Sequence, residues 1–387
     1  MKYNWTEKKL SEIADINPRE SIGKGIVAKK VPMDRLQPFC RDIPEFIYED
    51  YKGGTKFKNG DTIMARITPC LENGKIAKVS ILNNDEVGFG STEYIVFRAI
   101  DGISDADYLY YLICSPFVRN PAIKSMVGSS GRQRVQVDVV ADLNVKIPTI
   151  EEQRKIGGIL KALDDKIELN NKINKNLLQQ LHVLYLRLFC NSAMDTPLGD
   201  VVATTSGGTP SRKHDEYYSD SSICWVKSKE LLGNYIHETE EHINDLAIKK
   251  SSAKLLPEHS ILIAMYGATV GAYGVISKPM TCNQAVCALL CNENYPYTYL
   301  FQIAYESQQK FINLAVGSAQ QNISQVLIKQ LNLHSDLNII QRFHDLALPM
   351  HQEIEFLQAE NIRLSDLRDN LLPKLMSGEL DVSDVEI

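Results

Sequence analysis

The sequence predicts an α+β protein in which two related domains stand in tandem, each followed by a long helix, with the helices pairing antiparallel as a coiled coil of pseudo-two-fold symmetry. Three observations predict it. The stretch LNVKIPTIEEQRKI at 143–156 returns without a gap as LNLHSDLNIIQRFH at 331–344, an offset of 188. Behind each copy, apolar residues recur every seven positions. Elsewhere, short β-rich runs and helical runs follow one another without the regular strand–helix alternation of a parallel sheet.

The first domain, residues 1–148, holds the β-rich runs DTIMARI, GKIAKVSIL and TEYIVFRAI, then the helical run DADYLYYLICSPFVRNPAIKSM. Residues 149–194 form the first spacer helix and linker. The second domain, 195–337, keeps the same order, with ILIAMYG and AVCALLC as strands and YTYLFQIAYESQQKFINLA as a helix; residues 338–387 supply the second spacer helix and a C-terminal tail. Leu10 falls against Leu198 at the same offset of 188, and GSSGRQRVQVDVVADLNV answers GSAQQNISQVLIKQLNL. A period this long marks a duplicated domain, since solenoid repeats run to about 20–50 residues.

In the first helix Ile156, Leu163, Asn170, Leu177 and Leu184 form one seven-spaced set, and Leu160, Ile167, Asn174, Leu181 and Leu188 another. In the second, Phe343, Met350, Leu357, Leu364 and Leu371 are regular, while the companion set Ile340, Ala347, Ile354, Asn361 and Leu375 is interrupted by Arg368. This is a coiled-coil seam over about 35 residues, or ~50 Å. An antiparallel pairing that sets Ile156 against Leu375 and Leu188 against Phe343 also sets Asn170 against Asn361. Buried asparagine lowers stability but fixes register, so Asn170, Asn174 and Asn361 are the register candidates.

Composition, with 44% apolar and 23% charged residues, is that of a globular protein. No apolar run approaches the ~18 residues of a membrane span, and MKYNWTEKKL lacks the apolar core of a signal peptide; a cytoplasmic protein with no membrane partner is expected. The net charge of −6 resolves into +2, +2, −4 and −6 for the four segments in order, so the acidity is concentrated at the C-terminal end. A basic DNA-facing surface elsewhere is compatible with that distribution.

Catalytic motifs are missing. There is no phosphate loop, and VGFGST at 87–92 lacks the spacing of a dinucleotide fingerprint. NYPY at 294–297 is similar to the Asn-Pro-Pro-aromatic tetrapeptide of amino-methyltransferases, but Tyr295 replaces the first proline on which its geometry depends. The eight histidines show no HExxH spacing, and Cys282, Cys287 and Cys291 lack the paired form of a zinc site; the segment TCNQAVCALLC reads as a buried strand. No metal, cofactor or catalytic residue is therefore expected in this chain.

Together, RDNLLPKLMSGEL at 368–380 with Gly378 as a helix stop, Glu152 to Ile156 closing the first domain, and SGGTPSRK at 206–213 followed by CWVKSKEL at 224–231 resemble the specificity subunit of type I restriction and modification enzymes. The resemblance covers essentially the whole chain, although the first domain carries DINPRE where SGGTPS would be expected. It implies two target-recognition domains on double-stranded DNA, reading a bipartite site whose gap is set by the helices. It also implies two methyltransferase (M) subunits as partners, restriction/translocase (R) subunits that join them, and S-adenosylmethionine, ATP and Mg in those partners only. A coiled-coil scaffold and a standalone DNA methyltransferase are the alternatives. The first lacks a use for KSMVGSSGRQR, and the second lacks its motifs.

The candidate DNA-binding residues of the first domain are Lys124, Ser129, Arg132, Gln133 and Arg134 in and before the loop GSSGRQR, with Arg66 and Lys75. Those of the second are Ser206, Gly207, Gly208, Thr209, Ser211, Arg212 and Lys213, then Lys227 and Tyr266, and Gln320, Gln321 and Asn322 in GSAQQN. Arginine can fork onto guanine O6 and N7 or hold phosphate, glutamine and asparagine suit the adenine edge, and glycine amides can approach a backbone closely.

Overall fold

The computed structural model describes residues 5–129, 131–316, 322–383 and 385. The chain folds into two compact units, Met1–Leu169 with Asn361–Ile387, and Asn170–Glu360. In the first unit β1 (Thr6–Lys9), α1 (Leu10–Ile13), β2 (Ala14–Ile16), β3 (Val27–Val31), β4 (Ile47–Asp50), β5 (Lys56–Phe57), β6 (Thr62–Ala65), β7 (Ile76–Lys78), β8 (Gly88–Gly90) and β9 (Tyr94–Ala99) precede α2 (Ala106–Cys114), α3 (Pro116–Lys124), α4 (Val137–Ala141), β10 (Asn144–Ile147) and the long α5 (Ile150–Phe189). One sheet has the order β2-β9-β6-β7 and a second the order β4-β3-β8-β5. Side chains alternate across the first sheet as the period of two demands. Met64, Ile76, Ile95 and Phe97 face Tyr108, Leu109 and Leu112 of α2, while Ile63, Tyr94 and Val96 face Val31 and Phe57 of the second sheet. The helical run expected over 105–126 is broken in two, because Pro116 opens α3 and holds Ser115 extended at ψ 157°.

The second unit repeats the plan. Its elements are β11 (Met194–Pro197), α6 (Leu198–Val201), β12 (Ala203–Ser206), β13 (Ile223–Val226), β14 (Tyr235–Ile236), β15 (His242–Ile243), α7 (Asp245–Lys250), β16 (Ile261–Ala264), β17 (Tyr273–Ile276), β18 (Thr281–Cys282), β19 (Val286–Leu290), α8 (Tyr297–Val316), α9 (Gln325–Lys329), β20 (Asn332–His334) and the long α10 (Leu337–Ser377). The sheets have the orders β12-β19-β16-β17-β14 and β15-β13-β18. Ile261, Ile263 and Val275 pack toward α8, and Leu262, Ala264 and Ile276 pack the other way. The single strand expected in TCNQAVCALLC is two: β18 pairs parallel with β13, and β19 pairs antiparallel with β12 and β16. The Asn283 carboxamide oxygen accepts from the Ala285 amide at 3.1 Å, a tight turn that carries the chain between sheets.

The echo at offset 188 has a structural meaning. β1 pairs with β10 and β11 with β20, both antiparallel. The Leu10 amide donates to the Leu143 carbonyl at 2.9 Å, and the Leu198 amide to the Leu331 carbonyl at 2.8 Å. Each unit is thus closed where its first strand meets the strand that feeds a long helix. Thr149 and Glu152 cap α5 reciprocally, with the Thr149 amide donating to Glu152 Oε2 at 3.0 Å and the Glu152 amide to Thr149 Oγ1 at 3.4 Å. Asp336 Oδ1 accepts the Asn338 and Ile339 amides at the start of α10. Gly378 ends α10 at φ +74°, with the Glu379 amide bonded to the Lys374 carbonyl at 3.0 Å and the Gly378 amide to Leu375 at 3.3 Å, a Schellman stop.

Within each unit the long helices run antiparallel. Ile156 and Leu160 share the first unit's core with Leu375 and Met376. Leu181, Tyr185 and Phe189 share the second unit's core with Ile340, Phe343 and Ala347, and the half-buried Leu188 packs against the same cluster. The most buried line, Leu181, Tyr185 and Phe189, keeps only Leu181 of the expected seam, because this helix end faces the sheet domain as well as its partner helix. Polar residues interrupt both halves. In the first unit Arg368 Nη1 donates to Asp164 Oδ1 at 2.7 Å and the Tyr111 hydroxyl donates to Asp164 Oδ2 at 2.7 Å. In the second, the fully buried Asn170 donates to Glu360 at 2.7 Å, and Asn174 is buried one turn on. Asn361, assigned to the first unit, is half-buried. No described helix is long and apolar enough to cross a membrane.

Candidate nucleic-acid interface

In the second unit β12 delivers the chain into SGGTPSRK from an edge position beside β19. The glycines serve packing rather than leaving amides exposed. Gly207 donates to the Val286 carbonyl at 3.2 Å and Gly208 to the Cys282 carbonyl at 2.9 Å. A Cβ on Gly207 would lie 2.2 Å from the Cys282 carbonyl oxygen, and one on Gly208 would lie 2.3 Å from the Ser252 carbonyl carbon. The close approach these glycines allow is therefore to the protein's own backbone. The Gly208 carbonyl in turn accepts from Trp225 Nε1 at 3.0 Å, which fixes the indole beneath the loop.

On that platform Arg212 lies 4.2 Å over the Tyr218 ring and 5.5 Å from Trp225, and its Nη2 is ion-paired with Glu241. Lys227 reaches the other oxygen of Glu241 and lies 5.6 Å over Trp225. Lys227 and Arg212 together hold the Glu241 carboxyl below the usual range against its partial burial. Thr209, Ser211 and Lys213 are exposed, and Lys213 carries no ion pair among the described residues. The Ser206 hydroxyl is engaged with Gln325 Oε1 at 3.1 Å. Tyr266 is exposed and its backbone bridges to Asn322, next to which Ile323 donates to the Met265 carbonyl at 2.9 Å. Gln320 and Gln321 lie outside the described residues.

The first unit places GSSGRQR in the matching position. Val127 and Arg134 exchange backbone bonds at 3.0 and 2.9 Å, and Val135 donates to the Arg66 carbonyl at 2.8 Å; Ser130, between them, lies outside the described residues. Val135 and Ile323 are 188 residues apart, so both loops rejoin the sheet domain at one equivalent point and continue into α4 or α9. Arg132 and Lys124 are exposed without an ion pair among the described residues, Ser129 is exposed and Gln133 half-buried. Arg134 forks through Nε and Nη2 onto Glu93 at 2.7–3.0 Å and holds that carboxyl below its usual range. Arg66 Nη2 donates to the Val135 carbonyl at 3.3 Å and Lys75 to the Met33 carbonyl at 2.9 Å, so both brace loops.

DINPRE, which has no counterpart by sequence, takes the place of SGGTPS. β2 pairs with β9 as β12 pairs with β19, and Asn17, at φ 55°, bonds Val96 through both amide and side chain. This exposes Arg19 beside a cleft lined by Lys56, Arg66 and Thr92. Sequence reasoning passed over Arg19, although carrying the offset of 188 through Ile16 aligns 17–20 with 205–208. One further cluster has no signature in sequence spacing. Cys224, Glu238 and His242 bring ligand atoms within 4.8 Å of one another, with Cys224 directly opposite His242 across β13 and β15. The Lys278 ammonium sits on the same carboxylate at 3.1 Å, so a positive charge is already in place there.

A two-unit fold that repeats the same strand pairings and the same return of the chain at Val135 and Ile323 defines a class, and comparison with known proteins identifies it. Residues 2–179 and 193–334 match the family described as type I restriction modification DNA specificity domain, and the chain belongs to that family. It is 26% identical over 317 residues to the type I restriction enzyme MjaIX specificity subunit of Methanocaldococcus jannaschii, covering 74% of this chain and 71% of that one. It is 24% identical over 417 residues to the HindI specificity subunit of Haemophilus influenzae, covering 86% and 89%. The fold is also similar to the crystal structure of a type I restriction-modification S subunit from M. genitalium, with a TM-score of 0.60, 14% identity and coverage of 97% and 96%.

Proposed function

We propose that this chain is the DNA-recognition subunit of a type I restriction and modification complex, acting without catalysis of its own. Each unit reads one half of a bipartite site on double-stranded DNA, and the chain positions two methyltransferase subunits, which the restriction/translocase subunits join. S-adenosylmethionine, ATP and Mg belong to those partners, and the assembly works in the cytoplasm. The observation that carries the reading is the duplicated loop construction. Each unit presents a strand exit and, at Val135 or Ile323, a return of the chain onto the sheet at equivalent points, beside exposed basic or polar side chains on a sheet and helix support. Phosphate contacts and base contacts both need such groups on fixed elements.

The test is the methylome of the host with and without the gene. A bipartite methylated motif that disappears with the gene, and that changes in one half only when Arg134 or Arg212 is replaced, is the expected result. Methyl transfer by the purified chain alone from a labelled donor would instead favour a standalone methyltransferase.

A further inference from the structure

The cations at the two loop clusters fall into two kinds. Arg134 lies forked on Glu93, and Arg212 lies on Glu241 and is stacked on Tyr218. Arg132 and Lys213 are exposed and have no ion pair among the described residues. The distinction matters electrostatically. An arginine sharing its charge with a carboxylate presents little net positive charge to a phosphate, and the carboxylate itself repels the phosphate at distances well inside the ~10 Å screening length. Its remaining N–H groups stay available. Guanidinium carries five donors, and Glu93 takes those of Nε and Nη2, leaving the Nη1 pair and one hydrogen of Nη2. Glu241 takes a donor of Nη2 only. Two adjacent donors in a fixed plane are what guanine O6 and N7 require in the major groove, and they are neutral acceptors that the carboxylate does not repel strongly. The side chain is also already ordered, so less conformational freedom is lost on binding.

We propose that Arg134, held by Glu93, and Arg212, held by Glu241 on the Tyr218 ring, each read a guanine in their own half-site, whereas the unpaired Arg132 and Lys213 hold phosphate. Glu93 and Glu241 are positioning residues. The proposal rests on the reading of the chain as a DNA reader.

The experiment uses the full chain together with the subunits that co-purify with it from its host. A pool of randomised duplexes is bound, the selected sequences are read, and affinity for the selected duplex is measured from about 50 to 200 mM salt. Arg134→Ala and Arg212→Ala are each expected to relax one G·C position of one half by about 10- to 100-fold while leaving the salt slope unchanged. Arg134→Lys, which keeps the charge but not the fork, is expected to relax the same position. Arg132→Gln and Lys213→Gln are expected to weaken all sequences alike and to flatten the slope by about 0.9. Glu93→Gln and Glu241→Gln, which free the arginine charge, are expected to steepen the slope while lowering discrimination. If Arg134→Ala and Arg212→Ala keep the selected sequence and flatten the slope, the assignment is overturned while the chain remains a DNA reader. A wild-type complex that selects no sequence overturns both.

Discussion

Removing the Arg368 charge from the first unit exposes what holds its helix pair in register. The Arg368 and Asp164 side chains are 11% and 4% exposed, and Asp164 has two partners, Arg368 Nη1 and the Tyr111 hydroxyl, each at 2.7 Å. Arg368→Met leaves the carboxylate buried with only the tyrosine. Breaking one side of a buried pair costs about 3–5 kcal/mol, far more than the ~0–1 kcal/mol of an exposed pair. With a urea slope of about 2–3 kcal/mol/M, the midpoint of this unit should fall by about 1–2.5 M. The two tryptophans make the assay selective, since Trp5 packs near Gly378 in the first unit and Trp225 lies in the second. In a Trp225→Phe background, Trp5 fluorescence reports the first unit alone. The triple change Asp164→Leu, Arg368→Met and Tyr111→Phe should recover most of the loss, because it removes the charges and the hydroxyl that would otherwise be left unpaired at ~1–3 kcal/mol. An Arg368→Met protein with an unchanged Trp5 midpoint would refute the argument.

The second unit should lose stability in acid. Burial pushes the His351 imidazole down to about 3, with His344 and His259 adding to the shift, while Tyr235 bonds its Nδ1 at 2.9 Å. A group neutral in the fold but protonated near pH 6.5 when unfolded contributes stability that is intact above 6.5 and lost at ~1.4 kcal/mol per pH unit below it. Urea unfolding followed by Trp225 in a Trp5→Phe background should therefore show about 2 kcal/mol less stability at pH 5 than at pH 7, and His351→Gln should flatten that slope. Gly207→Ala, whose Cβ would meet the Cys282 and Asn283 carbonyl oxygens at 2.2 and 2.3 Å, should lower stability by about 1–3 kcal/mol and impair binding to the second half-site only. Thr149→Ala removes one side of the cap on α5 and should cost about 1 kcal/mol in the first unit, read by Trp5.

How far the sequence could be read depended on whether the deciding interaction was local. The long helices, the stop at Gly378 and the strands around Ile63 and Ile263 follow from periodicity and local chemistry that neighbouring residues carry. Arg368 appeared in sequence only as an interruption of a leucine stripe. Its partner Asp164 is 204 residues away in the chain, and no spacing rule joins them. The loop cations were visible as residue types, but whether each is paired depends on Glu93 and Glu241, which arrive from other loops of the sheets. The glycines of SGGTPS were legible as a need for close approach, while the object approached, the Cys282 and Ser252 backbones, was not.

The offset of 188 was the most informative signal because it joins the strands that close each unit, which pair in the same way in both. Leu10 to Leu143 and Leu198 to Leu331 are the same hydrogen bond made twice, whereas between them the spacing drifts, Thr62 at the start of β6 and Ile261 at the start of β16 lying 199 positions apart. Identity alone misleads in the same window. Gln153 is buried and bonds Asp105, Ile103 and Pro148, whereas its counterpart Gln341 is exposed and, among the described residues, its side chain bonds only Asp345 in its own helix. Gln153→Ala should therefore destabilise the first unit by about 1–3 kcal/mol through the buried groups it leaves unpaired, while Gln341→Ala should change the second by under ~0.5 kcal/mol. Trp5 and Trp225 fluorescence would separate the two effects. Equal losses from the two substitutions would mean that the repeated residue, rather than the repeated backbone pairing, is what the duplication preserves.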